Sequence, residues 1–160
     1  MIGNDIIDLE LAKTESNWKR KGFLDKIFTK SEQKLILSSK TPELMVWVVW
    51  SCKEAAYKIY NRATLIRAFI PLQLECDLEF HTGQIFGKVK CYDNNFFIRT
   101  EVTQDYIYTI AVTNLDSFKD IKKFDKDLKI IKKNGIPYFN EGRNFVSITH
   151  HGRFERRIFI

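Results

Sequence analysis

Cysteine, proline and glycine are all scarce in this 160-residue sequence, which has three, three and seven of them. The cysteines, Cys52, Cys76 and Cys91, are odd in number and follow none of the spacings of a zinc site. This pattern excludes a disulfide-stabilised scaffold and a cysteine-based metal centre. We expect three reduced, structural thiols in a cytoplasmic protein.

Long apolar runs and the common catalytic signatures are also missing. The longest apolar run, residues 44–50, is far too short to span a bilayer, and the polar start with Asn4, Asp5 and Asp8 is unlike a signal peptide. No GxSxG, GxGxxG or Walker-type phosphate loop occurs. These absences argue against a membrane protein, a secreted protein, an α/β-hydrolase and a nucleotide-binding protein of the Rossmann or P-loop type.

Positive charge and aromatic residues are abundant instead. Lysine and arginine outnumber aspartate and glutamate by 26 to 20, which leaves a net charge of +6 and a pI near 9.2. Aromatic residues make up 14% of the chain. Length and aromatic content predict one packed domain over residues 1–160, and the charge favours an acidic partner such as nucleic acid, an acidic protein or a phosphorylated small molecule.

Two kinds of periodicity predict an α+β fold, with an antiparallel sheet packed against a long central helix. Residues 42–63 carry apolar side chains at three- and four-residue steps, after Thr41 as a candidate N-cap. Residues 72–113 switch to alternating apolar and polar residues with turn signals between them, as in antiparallel hairpins. The predicted strands are residues 1–9, 72–81, 85–92, 96–102, 106–112 and 145–151.

Charged residues inside apolar segments are the candidate functional residues. Glu54 and Lys58 lie four residues apart on the predicted central helix and therefore share one face. Asp5 interrupts the apolar first strand, beside Gly3, which permits close backbone approach. Two carboxylates suit Mg²⁺, and a neighbouring lysine suits a phosphate. The plainer interpretations are a surface ion pair on the helix and an edge or turn position for Asp5.

Two further segments have polar residues that admit two interpretations each. The strand 145–151 carries Ser147 and Thr149 on one face and reaches His150, which is either a phosphate contact or an ordinary residue at a strand end. Residues 117–133 have helical spacing and many lysines. We therefore predict an amphipathic helix there, which is either solvated or docks an acidic protein.

Four short motifs occur in order along the chain, and Lys53-Glu54-Ala55 on the predicted helix belongs to the most specific of them. They are Ile2-Gly3-Asn4-Asp5-Ile6, residues 23–32, Trp50-Ser51-Cys52-Lys53-Glu54-Ala55 and Val146-Ser147-Ile148-Thr149-His150. Together they resemble the 4′-phosphopantetheinyl transferase superfamily, and most closely its short holo-acyl-carrier-protein synthase branch. The resemblance covers roughly the first 60 and the last 25 residues.

The resemblance implies a Mg²⁺-dependent transferase with the fold of that family. Coenzyme A would donate its 4′-phosphopantetheine to a serine of an apo acyl or peptidyl carrier protein, leaving 3′,5′-ADP. By motif position, Asp5 and Glu54 would hold Mg²⁺. The candidate acceptor of the serine proton is Glu54 or a metal-ordered water beside it. Lys58 would neutralise phosphate charge and His150 would contact coenzyme A. Because the short branch places its sites between subunits, a homo-oligomer is implied, with no role for nucleic acid or a membrane.

The sequence departs from the family pattern after His150. The family usually continues there as an apolar strand, whereas Glu155-Arg156-Arg157 interrupts this one. Arg153, with the arginines of that interruption, is either a contact for the 3′-phosphate of coenzyme A or part of a basic surface. Two other functions stay open: an inactive family member that binds a carrier protein, and a basic nucleic-acid-binding domain. The sequence does not specify which fatty-acid, polyketide or peptide-synthetase carrier is modified.

Overall fold

The computed structural model describes residues 1–125, 128–133, 135–139 and 144–160, and these residues form the predicted α+β fold. The helices are Leu9–Glu15 (α1), Phe23–Ile27 (α2), Lys30–Ser38 (α3) and Pro42–Thr64 (α4), with short 3₁₀ turns at Pro71–Gln73 and Leu115–Lys119. The strands are Ile2–Asp8 (β1), Leu74–His81 (β2), Gln84–Cys91 (β3), Asn94–Val102 (β4), Tyr106–Val112 (β5), Lys122–Lys123 (β6), Ile131–Lys133 (β7), Ile136–Phe139 (β8), Asn144–His151 (β9) and Phe154–Phe159 (β10).

The first sheet is antiparallel, and its strand order is β1-β5-β4-β3-β2. The predicted strands of this sheet are confirmed, and β5 has the predicted bounds, Tyr106–Val112. The alternation of apolar and polar residues was a direct guide for β2 to β4, whose two faces differ in burial, whereas β1 and β5 are buried on both faces. β1 returns from the start of the chain to pair with β5 along its whole length, with Ile2 opposite Val112.

Helix α4 confirms the predicted central helix and packs across the first sheet. Its buried face includes Cys52 and Ala55. Gly3 of β1 lies directly against this helix: a β-carbon built at Gly3 would be 2.1 Å from the carbonyl oxygen of Ala55. The backbones of β1 and α4 therefore touch, as the glycine predicted, and side chains on this face of β1 are brought close to α4.

We expect Gly3→Ala to lower the free energy of unfolding by about 2–3 kcal/mol, because the added methyl group must displace the backbone of α4. Gly83→Ala is the matched control, since Gly83 has φ +74° but nothing within 4 Å of an added β-carbon. That control should lose only the left-handed backbone preference, roughly 1 kcal/mol. Urea unfolding curves measure both values, and equal losses would contradict the close packing of β1 on α4.

The predicted helix over residues 117–133 is wrong. The described part of this segment contains the end of the 3₁₀ turn Leu115–Lys119, then β6 and β7, while residues 126 and 127 lie outside the described residues. Phe118 and Ile121 pack against an apolar cluster built on β1, β5 and β10. β6 pairs with β10, and β7 pairs with β8. Strand pairing, of β6 with the distant β10 and of β7 with the adjacent β8, thus overrides the helical spacing of the segment.

The second sheet has the order β6-β10-β9-β8-β7 and includes the charged C-terminal segment. β10 pairs with β9 through Glu155, Arg156 and Arg157. The Arg156 guanidinium lies 5.2 Å and 5.8 Å from the ring centroids of Tyr106 and Tyr108, and Arg157 pairs with Glu155 at 2.6 Å. The charged run therefore continues the hairpin, because aromatic faces and an internal ion pair accommodate its charges.

Apolar side chains form two clusters, one between α4 and the first sheet and the other on the opposite face of β1 and β5. The three cysteines are free thiols, and Cys52 and Cys91 are buried, as expected for structural residues. Within the ranges given above, the longest helices lack the apolar length needed to cross a membrane.

Candidate functional site

A cavity of about 280 Å³ is lined by β1, by helices α1 and α4 and by the end of β9. Three of the predicted site residues, Asp5, Glu54 and His150, line this cavity, which we call the acidic cavity. The other lining residues are Ile6, Ile7, Ala12, Glu15, Ser16, Phe23, Trp47, Trp50 and His151. The fold therefore brings together residues from three distant parts of the sequence.

Asp5 faces helix α4 because side chains alternate along β1. Asp5 is two residues from Gly3, so both lie on the face of the strand that touches the helix. The Asp5 side chain is 13% exposed, and its Oδ1 is 3.5 Å from Nζ of Lys58. Lys58 also donates a hydrogen bond to the Asn4 carbonyl. Although β1 ends the first sheet, Asp5 is a half-buried residue facing a helix, not a solvated turn residue.

Glu54 carries the clearest electrostatic signature of the acidic cavity. Its pKa is raised to about 7, first by burial and then by the negative charge of Asp5, whereas Lys58 opposes the shift. The pKa of Asp5 is also raised, chiefly by burial, while Lys58 and hydrogen bonds from Ser51 and Thr149 act against it. Two carboxylates beside one ammonium group leave an excess of negative charge, which a bound cation would compensate.

The residues of the acidic cavity fit Mg²⁺ better than they fit a metal ion that takes all its ligands from the protein. Among the residues that the structure describes, no three histidine, cysteine, aspartate or glutamate side chains form a group that could hold a metal ion. Mg²⁺ needs fewer protein ligands, because it is usually bound by one or two carboxylates and keeps waters or substrate phosphates. Asp5 and Glu54 are an all-oxygen pair of this kind.

Lys58 lies between the acidic cavity and a second cavity of about 210 Å³, which it lines together with Asn61 and Arg62. The Arg62 guanidinium donates hydrogen bonds to the carbonyl groups of Ile2, at 2.7 Å, and Val146. Arg62 therefore joins β1 to β9. Lys58 does not itself line the acidic cavity. It contacts Asp5, which does, and it lines the second cavity.

Arg153 is not among the residues that line the acidic cavity. Its Nε and Nη2 donate to the two carboxylate oxygens of Asp8 at 2.9 Å and 2.8 Å. This bidentate contact holds the pKa of the Asp8 carboxyl well below its usual range. The Asp8 carboxylate also caps the start of α1 by accepting from the Glu10 amide. The structure thus places Arg153 in an ion pair with Asp8, and its predicted contact with coenzyme A stays a prediction.

The sequence analysis missed His151 and Glu15, which also line the acidic cavity. The Asp8 amide donates to Nδ1 of His151 at 2.9 Å. Because Nδ1 accepts this bond, the proton of the neutral ring is on Nε2, which lies 3.3 Å from Oε2 of Glu15. The sequence signal was the two-residue spacing of Ser147, Thr149 and His151, which places all three on one face of β9.

Comparison with known proteins adds two observations to this geometry. The profile of the 4′-phosphopantetheinyl transferase superfamily matches residues 1–111, which include Asp5, Glu54 and Lys58. A holo-[acyl-carrier-protein] synthase from Protochlamydia amoebophila (strain UWE25) is 42% identical over 59 residues, or 36% of this chain and 47% of that protein. The matched part thus spans about half the length of this relative. Because the profile match covers more than half of the 160 residues, the chain belongs to the 4′-phosphopantetheinyl transferase superfamily.

Proposed function

We propose that this protein transfers 4′-phosphopantetheine from coenzyme A to a serine of an apo acyl or peptidyl carrier protein, releasing 3′,5′-ADP in a Mg²⁺-dependent reaction. One observation carries the proposal: Asp5 and Glu54, from separate motifs, share one cavity beside Lys58 in a member of this superfamily. The similarity to a holo-acyl-carrier-protein synthase supports the carrier protein as the acceptor.

The reaction exchanges one phosphorus–oxygen bond for another. The serine oxygen attacks the phosphorus next to the pantetheine, and the bond from that phosphorus to the bridging oxygen of the pyrophosphate breaks. Glu54 accepts the serine proton, directly or through a water, and 3′,5′-ADP leaves with the electron pair of the broken bond. In the cation-free protein the pKa of Glu54 is about 7, within the range suited to a general base near neutral pH.

The remaining roles follow from charge and position. Asp5 and Glu54 would hold Mg²⁺, which when bound neutralises charge on the pyrophosphate. Lys58 would bind the phosphates, because its ammonium group lies beside Asp5 and the residue lines the neighbouring second cavity. His150 is exposed at the edge of the acidic cavity, so it is free to contact coenzyme A. Positioning and charge neutralisation are the main sources of acceleration in phosphoryl transfer.

The charge of the whole chain supports the same substrates. Coenzyme A is polyanionic and the carrier proteins of this family are typically acidic, whereas this chain has a net charge of +6. We also propose that the protein acts as a homo-oligomer in the cytoplasm, since the sequence most resembles the short branch of the family. Which carrier protein it modifies is a matter for experiment.

Removal of divalent cations provides the direct test. Fluorophore-labelled coenzyme A is mixed with the protein and a panel of fatty-acid, polyketide and peptide-synthetase apo carriers, with Mg²⁺ or with EDTA. We expect labelling of at least one carrier in Mg²⁺, and a rate lower by about a hundredfold or more in EDTA, because the cation supplies several kcal/mol of charge stabilisation. A carrier whose acceptor serine is replaced by alanine is the control and should stay unlabelled.

Three results would count against the proposal. Labelling at the same rate in EDTA would remove the role of the acid pair as a cation site. Binding of apo carriers without any labelling across the panel would instead support a scaffold that has lost catalysis. Retention on duplex or single-stranded nucleic acid that weakens steeply with salt would support the nucleic-acid alternative.

A further inference from the structure

The outer edge of β1 is paired with side chains instead of a neighbouring backbone. The amides of Asn4, Ile6 and Asp8 point away from β5 and donate to three side chains of β9. The acceptors are Ser147 Oγ at 2.9 Å, Thr149 Oγ1 at 3.1 Å and His151 Nδ1 at 2.9 Å. Both strands advance by two residues at each bond, so these contacts form a regular side-chain ladder between the two sheets.

The middle bond of the side-chain ladder has a continuation that reaches the acidic cavity. Thr149 Oγ1 is 3.3 Å from Oδ1 of Asp5. A hydroxyl group has a single hydrogen, and a carboxylate can only accept. Because Thr149 accepts the Ile6 amide, its own hydrogen is available for Asp5. The direction of the bond is therefore settled: Thr149 donates to the Asp5 carboxylate.

Burial makes this contact more effective than a surface hydrogen bond. Thr149 is 6% exposed, so water competes little for its hydroxyl group. The contact uses Oδ1 of Asp5, the same oxygen that lies 3.5 Å from Lys58. These two donors on Oδ1 restrict the rotation of the carboxylate about its last bond, and Ser51 is a further hydrogen-bond partner of Asp5.

The neighbouring hydroxyl group of the side-chain ladder provides an internal comparison. Ser147 is 3% exposed and accepts the Asn4 amide at 2.9 Å. Its position is equivalent to that of Thr149 in burial and in its bond to β1. Among the described contacts, it is Thr149 and not Ser147 that bonds Asp5. Loss of either hydroxyl group should loosen the two sheets, but only loss of the Thr149 hydroxyl group should affect the acid pair directly.

We infer that Thr149 is a positioning residue, whose hydroxyl group orients the Asp5 carboxylate for a divalent cation. The inference rests on the proposed function, in which Asp5 and Glu54 hold that cation. It extends the site beyond residues 1–111, the part that the superfamily profile matches. Through Thr149, the hairpin of β9 and β10 takes part in cation binding without contributing a ligand.

Thr149→Val tests this role because valine keeps the shape of threonine and removes the hydroxyl group. We expect it to weaken Mn²⁺ binding by about tenfold or more, as is usual when a hydrogen-bond partner of a metal ligand is removed. Mn²⁺ replaces Mg²⁺ here because its free form is counted directly by electron paramagnetic resonance, with no turnover needed. Thr149→Ser should bind Mn²⁺ like the wild type, since it retains the donor.

Ser147→Ala is the matched control for loss of packing between the sheets. We expect Ser147→Ala and Thr149→Val to lower the urea midpoint by similar amounts, while Ser147→Ala keeps the wild-type affinity for Mn²⁺. Equal Mn²⁺ affinity in Thr149→Val and the wild type would overturn the positioning role and leave the proposed function intact. Equal weakening in the two variants would assign the effect to packing and overturn it as well. If the wild type binds no Mn²⁺ with coenzyme A present, the proposed cation site itself fails, and this inference fails with it.

Discussion

Glu54→Gln should abolish phosphopantetheine transfer and yet make the cation-free protein more stable. Glutamine keeps the size of Glu54 but can neither accept the serine proton nor supply a negative charge to the cation. We expect the labelling rate to fall by about a thousandfold or more. The gain in stability arises because the carboxylate is held at a position where its charged form is unfavourable.

The sign of this stability effect follows from the raised pKa. Burial and the charge of Asp5 raise the pKa of Glu54 from 4.5 to about 7 in the folded state. Folding therefore favours the neutral carboxyl group, and its contribution is fully present below the unfolded pKa. That contribution is lost as the pH rises through the folded pKa. The loss is on the order of 2–3 kcal/mol, and the uncharged amide of the variant would avoid it.

Urea unfolding in EDTA at about pH 5 and about pH 8 measures this difference. The advantage of Glu54→Gln over the wild type should grow with pH, and added Mg²⁺ should then stabilise the wild type more than the variant. Glu43→Gln is the control, because Glu43 is an exposed carboxylate in the first turn of the same helix. A Glu54→Gln variant with wild-type labelling rate, or with a constant stability difference across this pH range, would contradict the assignment.

Lys53→Met should cost about 3–5 kcal/mol in the free energy of unfolding, although Lys53 precedes Glu54 in the most specific motif. Nζ of Lys53 is 2.7 Å from Oε2 of Glu32, and the two side chains are 0% and 1% exposed. The ammonium group also donates to the carbonyl groups of Pro71 and Leu74. Its removal would leave a buried negative charge and two buried acceptors without their donor.

Glu32 explains why this ion pair is built into the fold. It is the third residue of α3 and completes a capping box by accepting the Thr29 amide at 2.8 Å. Its other oxygen accepts the Cys76 amide of β2 at 2.9 Å. The pair therefore joins α3, α4 and β2 at one buried point. Because Lys53 is bonded to these structural groups, we expect the folded fraction of Lys53→Met to keep most of its labelling rate.

A double variant and a surface pair separate the buried charge from other effects. Lys53→Met with Glu32→Gln should be more stable than Lys53→Met alone, because no uncompensated charge remains. Lys13→Met breaks the exposed pair of Lys13 and Glu10, whose side chains are 68% and 71% exposed. That variant should lose less than about 1 kcal/mol. If Lys53→Met lowered the free energy of unfolding by as little as Lys13→Met does, the buried pair would contribute little to stability.

Local sequence patterns predicted those helices and strands in which the same face is buried along the whole element. Alternation located β2 to β4 because each strand packs one face on α4, and three- and four-residue spacing located α4 because one stripe of it is buried. The capping box of Thr29 and Glu32 is a local feature of the same kind, since its partners are three residues apart. The helix predicted for residues 117–133 was wrong because parts of this segment pair with β8 and β10. Both strands follow the segment in sequence, so the spacing within it did not reveal the pairing.

The sequence by itself determined the fold class and the central helix, because both follow from the spacing of residues that are close in the chain, and it pointed to Asp5, Glu54 and Lys58 as candidates from two separate motifs. Only the tertiary structure decided which groups hold those residues in place. Thr149 reaches Asp5 across 144 positions of sequence, and Arg153 turns from the acidic cavity to Asp8. A hydrogen bond depends on distance in space and on free donors and acceptors, and neither quantity is encoded in the local spacing of residues.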